Sequence, residues 1–194
     1  MITIINYGAG NLGSIKNAVE YLGFICRITN NADDIKNTDK LILPGVGAFG
    51  DIMNNLEKQK LIKPIKKYIA SGKPYLGICL GLQILFEKSK ESPNAKGLGI
   101  FKGKVVKFKK GKVPQIGWNE INPVKQNKFF KNGFVYFVNS YYVIPKDKNI
   151  IAATTNYYVE FASAIQYKNI TAMQFHPEKS GEFGLNLLKR WLKS

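Results

Sequence analysis

The sequence is poor in the residues that most often carry chemistry. It has two cysteines, Cys26 and Cys79, and a single histidine, His176. Two thiols far apart in sequence give neither a disulfide framework nor metal-ligand spacing, and no metal site is expected. Chemistry that needs imidazole must use His176. Long apolar runs are also missing. The longest, "YLGICLGLQILF", is too short to span a bilayer and carries Gln83. No basic region followed by a signal-like apolar stretch opens the chain. These absences predict an intracellular, cytoplasmic protein with no membrane partner. Acids are scarce, 13 against 29 lysines and arginines, which leaves a net charge of +16. Such a charge invites nucleic acid, but arginine occurs only at Arg27 and Arg190. Base readout favours arginine forks and stacking aromatics. The lysines instead alternate with apolar stripes. In "LIKPIKKYIASG", Ile62, Ile65 and Ile69 make the stripe, and Lys63, Lys66 and Lys67 the solvated face. No nucleic-acid partner is expected, although a basic surface could attract phosphorylated metabolites or an acidic protein.

What is present points to one α/β domain over residues 1–194, a length that supports a full core. The first half alternates strand and helix patterns: strand 2–6, strand 24–29, strand "KLILPG", helical segments around 50–70, then strand "PYLGIC" leading into a helix "LGLQILFEK". That alternation predicts a mostly parallel central sheet flanked by helices. From about residue 103 the chain turns β-rich, with "KVVKF", "FVYFVNSYYVI", "IIAATT", "ASAIQY" and "ITAMQF". It closes on an amphipathic helix that puts Leu187, Leu188, Trp191 and Leu192 on one face.

Near its start the chain reads "IINYGAGNLGSIKNAV", with Gly8, Gly10 and Gly13 in G-x-G-x-x-G spacing between a strand and a helix. A dinucleotide site also needs an acid at the end of the second strand. Asp33 has the right offset, but it lies in "NNADDIKN", which looks like the first turn of the next helix. A tight turn that needs glycine is therefore the better reading of the motif.

The richest stretch is "YLGICLGLQ". A strand enters Gly77-Ile78-Cys79-Leu80-Gly81 and a helix follows, the layout of a nucleophile elbow with cysteine as nucleophile. Side chains two residues either side of the nucleophile would crowd that turn, hence the glycines. At a helix amino end, Cys79 is favoured as thiolate, and the Leu80 N–H can donate to a developing oxyanion. Cys26 has no such frame and is expected in the core. In "ITAMQFHPEKS" a strand ends at His176, and Glu178, two residues on, can approach the imidazole and fix its tautomer. Strand three ends at Pro44-Gly45-Val46-Gly47, where the Val46 or Gly47 N–H could supply a second oxyanion donor. From these residues alone, a stand-alone cysteine hydrolase and a non-enzymatic basic binding protein both remain open.

Together the three pieces resemble the class I (triad) glutamine amidotransferases. Gly77, Cys79, Gly81 and Gln83 match the family's G-x-C-x-G-x-Q, His176-Pro177-Glu178 its H-P-E, and Pro44 to Gly47 its P-G-x-G segment. Within the family, "NYGAGNLGS", "LPGVGAFGD", "PQIGWN" and "YFVNSYY" are similar to glutaminase subunits of imidazole glycerol phosphate synthases. The resemblance implies that glutamine is hydrolysed to glutamate and ammonia by Cys79, His176 and Glu178 with no cofactor, and it removes NAD. It implies that Gly45, Gln83, Ser140 and Tyr141 meet the substrate. It also implies a heterodimer with a (β/α)₈ cyclase subunit of histidine biosynthesis, met through Asn11, Trp118 and Lys179. The amidotransferase subunit of another ammonia-using synthase is the alternative. Two positions depart from the pattern: Asn139 and Gln115 stand where the family often has histidine.

Overall fold

The apolar run "LILPG" is buried along its whole length, as expected of a parallel strand covered on both faces. The computed structural model describes residues 1–8, 11–124, 127 and 129–194. Among these, the elements run β1 (Ile2–Ile5), α1 (Leu12–Tyr21), β2 (Cys26–Thr29), α2 (Ala32–Asn37), β3 (Lys40–Gly45), α3 (Phe49–Lys58), α4 (Ile62–Ala70), β4 (Tyr75–Cys79) and α5 (Leu80–Gln83). The second half holds β5 (Phe86–Ser89), β6 (Phe101–Lys107), β7 (Gln115–Pro123), β8 (Gly133–Asn139), β9 (Tyr141–Pro145), β10 (Ile151–Asn156), β11 (Glu160–Tyr167), β12 (Ile170–Met173) and α6 (Gly181–Lys193).

The strands join in the order β2-β1-β3-β4-β12-β11-β10-β7-β8, with β5, β6 and β9 on a branch from β11. From β2 to β12 the pairing is parallel; β11 and the strands beyond it on this path pair antiparallel, while β5 and β6 on the branch pair parallel. Alternate strand residues feed two cores. Leu41, Leu43 and Tyr75 face α2, α3 and α4. Ile4, Ile42, Leu76 and Ile78 face α1 and α6, against which Leu187, Leu188, Trp191 and Leu192 are buried as the periodicity predicts.

Several expectations need correction. The helix expected over "LGLQILFEK" is the single turn α5, and the chain then returns to strand as β5. Leu80, Leu82, Leu85 and Phe86 are all fully or nearly fully buried, and an apolar run buried on all sides carries no period by which to tell helix from strand. "FVYFVNSYYVI" is two strands divided at Ser140: β8 pairs with β7, whereas β9 pairs with β6 and β11. Strand β2 starts two residues later than expected, at Cys26. The glycine-rich turn after β1 is held by its own chain. Asn6 Oδ1 accepts from the Gly8 N–H at 2.9 Å, and Asn11 Oδ1 caps α1 by accepting from Ser14 at 3.3 Å. Gly10 lies outside the described residues. Asp33 sits in the first turn of α2, as read, and not at the end of β2.

Candidate active site

The carboxyl ends of β3, β4 and β12 lie side by side, since Gly45 pairs with Cys79 and Met173 with Ile78. In parallel α/β sheets that edge is where ligands bind. At the end of β4, Cys79 has φ 54° and ψ −107°, a left-handed conformation that costs a non-glycine residue of order 1–3 kcal/mol. The surrounding glycines permit it by letting backbones touch. A Cβ on Gly77 would lie 2.4 Å from the Gly81 carbonyl oxygen, and one on Gly81 1.9 Å from that of Leu43. Gly81→Ala is therefore expected to displace the elbow and to cost about 1–3 kcal/mol or more. Thermal unfolding of the variant checks this; an unchanged Tm contradicts it. Because α5 is a single turn, the helix dipole expected to favour thiolate is small.

His176 follows β12 after two further residues and caps a 3₁₀ turn, Pro177–Lys179. Glu178 reaches the imidazole through that turn, and not through the i, i+2 geometry of a strand. Its Oε1 is 2.8 Å from His176 Nδ1, with both side chains almost fully buried. That contact leaves Nε2 as the nitrogen free to face Cys79. Burial works against a charge on His176, but the hydrogen bonds that the charged imidazole donates to Cys79 and Glu178, and the attraction of their negative charges, outweigh it, and the imidazole pKa is pushed up to about 10. At neutral pH the imidazole is thus held in its charged form beside the Cys79 sulfur.

A cavity of about 290 Å³ opens over these residues, lined among others by Val46, Gly47, Cys79, Leu80, Gln83 and His176. Its size suits a small polar ligand. Ser140, Tyr141, Asn139 and Lys179 also line it. Gly45 does not. It lies beneath the cavity, where a Cβ would come 2.5 Å from the Leu80 Cβ, so its small size serves packing between β3 and α5. Gln83 Nε2 donates to Gln174 Oε1 at 3.0 Å and to the Tyr141 carbonyl at 3.1 Å, while Gln83 Oε1 is buried without a partner among the described residues.

Three residues here have no sequence motif to announce them. Gln174 Nε2 stands 3.5 Å from Cys79 Sγ and can donate to a thiolate. Its amide is oriented by the bond from Gln83. Glu91 lines the cavity while its Oε2 accepts from the Phe49 N–H at 2.7 Å. Tyr7, nearly fully buried, accepts from the Val46 N–H at 3.2 Å. The two departures from the family pattern form a matched pair. Gln115 and Asn139 face each other across β7 and β8, both buried, each with a side-chain carbonyl oxygen that lacks a partner among the described residues. Cys26 is buried in β2, and its thiol pKa is raised by that burial.

Outside the cavity, β7 and β8 turn an apolar face outward. Ile116 pairs with Val138, Trp118 with Tyr136 and Glu120 with Phe134. Ile116, Trp118 and Phe134 are each more than half exposed. Val138 also lines the cavity, so this face is continuous with the mouth of the site. Asn11 and Lys179 are exposed as well. Among the described residues, no helix is long and apolar enough to cross a membrane.

The profile of the family "Glutamine amidotransferase class-I" matches residues 3–194. The chain is 50% identical over 196 residues to the imidazole glycerol phosphate synthase subunit HisH of Caldanaerobacter subterraneus, covering 98% of this chain and 97% of the relative. It is 46% identical to the imidazole glycerol phosphate synthase hisHF of Arabidopsis thaliana, covering 99% of this chain but 34% of that protein. Among solved structures, PurLQS from Thermotoga maritima superposes with a TM-score of 0.79 at 20% identity, covering 99% of this chain and 97% of the matched one, which speaks for the fold alone.

Proposed function

The chain belongs to the class-I glutamine amidotransferase family, and from that premise we propose that it is the glutaminase subunit of an imidazole glycerol phosphate synthase in histidine biosynthesis. The observation that carries the reading is the strained Cys79 beside a buried His176–Glu178 pair at the floor of a small cavity. The Cys79 sulfur attacks the side-chain carbonyl carbon of glutamine, and the C–N bond breaks as His176 delivers its proton to departing ammonia. Water, deprotonated by His176, then opens the γ-glutamyl thioester to give glutamate and restore the thiolate. Glu178 holds the imidazole in the tautomer this needs. Gln174 supports the sulfur anion. The Leu80 N–H and one from Val46-Gly47 receive the oxyanion. Gln83, Ser140 and Tyr141 line the substrate's path, and the Glu91 carboxylate suits its α-ammonium group.

Ammonia released into water would protonate and diffuse away, so it must pass directly to a synthase. The apolar β7–β8 face around the cavity mouth supports a docked partner, with Trp118 as its exposed aromatic anchor and Lys179 at the rim. The Arabidopsis relative extends far beyond the region matching this chain, which leaves room for a second activity in one polypeptide. We take the partner to be a (β/α)₈ cyclase, and the whole of residues 1–194 to be one domain acting in the cytoplasm.

A glutaminase that acts alone wastes glutamine. The isolated chain is expected to turn over glutamine about 10²–10³ times more slowly than with its cyclase and nucleotide ligand, the worth of one oxyanion donor. Glutamate release by the chain alone, with cyclase, and with cyclase plus nucleotide measures this. Equal turnover in all three contradicts partner control.

A further inference from the structure

The N–H of Val46 is the nearest candidate for a second oxyanion donor, yet it is engaged elsewhere. Val46 and Gly47 line the glutamine cavity. The Val46 N–H instead donates to the phenol oxygen of Tyr7 at 3.2 Å. Tyr7 does not line the cavity and is only 1% exposed. An N–H aimed into that buried pocket cannot also aim at a carbonyl oxygen held over Cys79.

We propose that Tyr7 is a positioning residue that holds the Val46 amide out of the glutamine site, and so sets how slowly the chain hydrolyses glutamine before a partner docks. This rests on the glutaminase reading above. The Tyr7 side chain is buried as part of the hydrophobic core that also holds Leu43, Phe49 and Leu80, so its hydroxyl is a stationary acceptor. Burial, countered in part by the Val46 hydrogen bond, raises the phenol pKa; the group stays neutral over the working range and accepts with a lone pair. On the other side of the balance, the Val46 N–H belongs to the peptide that follows Gly45, which has no side chain to swing when that peptide turns, and Gly47 beyond it already sits at φ 100° with, among the described residues, open space where a Cβ would stand. Glycine on either side of Val46 lowers the cost of rotating the backbone here. The two orientations of the Val46 amide thus differ mainly in which acceptor it meets: the phenol, or the oxyanion of the reacting substrate. A partner that favours the second shifts the population toward it.

Tyr7→Phe removes the acceptor and keeps the ring that fills the core. The unengaged amide then loses its buried partner, a cost that weakens this orientation by roughly five- to a hundredfold. Partner-free glutamine turnover should rise by about tenfold or more. The rate with cyclase and nucleotide should stay within about twofold of wild type, so the activation ratio falls by the same factor. A merely structural role predicts the opposite, a fall in both rates. Hydrogen exchange at the Val46 amide supplies a readout independent of catalysis, and it should speed up in the variant. If the partner-free rate does not rise in Tyr7→Phe, or Val46 exchange is unchanged, the Tyr7 role is overturned. Failure of the wild-type complex to release glutamate at all would strike the glutaminase reading instead, and the exchange result would still decide for or against Tyr7.

Discussion

Cys79→Ala should abolish glutamine hydrolysis, by about four or more orders of magnitude, while the chain still folds. Members of a catalytic triad act as a unit, and removing the nucleophile costs nearly as much as removing all three. The fold should survive because the substitution deletes a single sulfur and leaves the crowding between Gly77, Gly81 and Leu43 as it was. The φ of 54° at residue 79 is no harder for alanine than for cysteine. Glutamate release in the presence of the partner, together with near-wild-type thermal unfolding, checks both halves. Residual activity above about 1% of wild type would mean that another group attacks the amide.

His176→Asn should be nearly as severe, because no other imidazole exists to take over proton transfer. Glu178→Gln should lose less, by a factor of roughly a hundred, since in the proposed mechanism Glu178 orients the base and takes no part in bond making. The two variants also differ in their pH dependence. Glu178 helps hold the His176 proton, so its neutralisation should move the alkaline fall in rate to lower pH. His176→Asn should have no such limb to move. Equal activities in the two variants, or a pH profile that Glu178→Gln leaves in place, would contradict the roles given to this pair.

The residues to which we assign the chemistry could be picked out because short motifs impose them locally. A nucleophile elbow needs its glycines two residues away, and Gly77 and Gly81 are where backbone meets backbone. His176 and Glu178 are two residues apart, and either a strand or a 3₁₀ turn brings them close; the structure uses the turn. The parallel half of the sheet was legible for a similar reason, since strands covered on both faces are apolar throughout. The residues that support the site were not legible. Tyr7 meets Val46 across 39 positions, Glu91 meets Phe49 across 42, and Gln174 meets Cys79 across 95. No local pattern encodes such contacts, because the sheet order creates them. The same limit applied to Gly45, which looked like a ligand contact and turned out to pack against Leu80. The return to strand at β5 was hidden by uniform burial. Of the opening G-x-G-x-x-G, what the structure describes is a turn tied by Asn6 and a helix capped by Asn11.

The central claim is that Cys79 attacks glutamine. Its most direct test is to treat the chain, bound to its cyclase, with a glutamine-analogue electrophile and to map the adduct by peptide mass. The account predicts one adduct, on Cys79, that excess glutamine prevents. Cys26 should stay unmodified, because burial keeps its thiol protonated. An adduct on Cys26, or labelling of Cys79 that glutamine does not compete away, would contradict it.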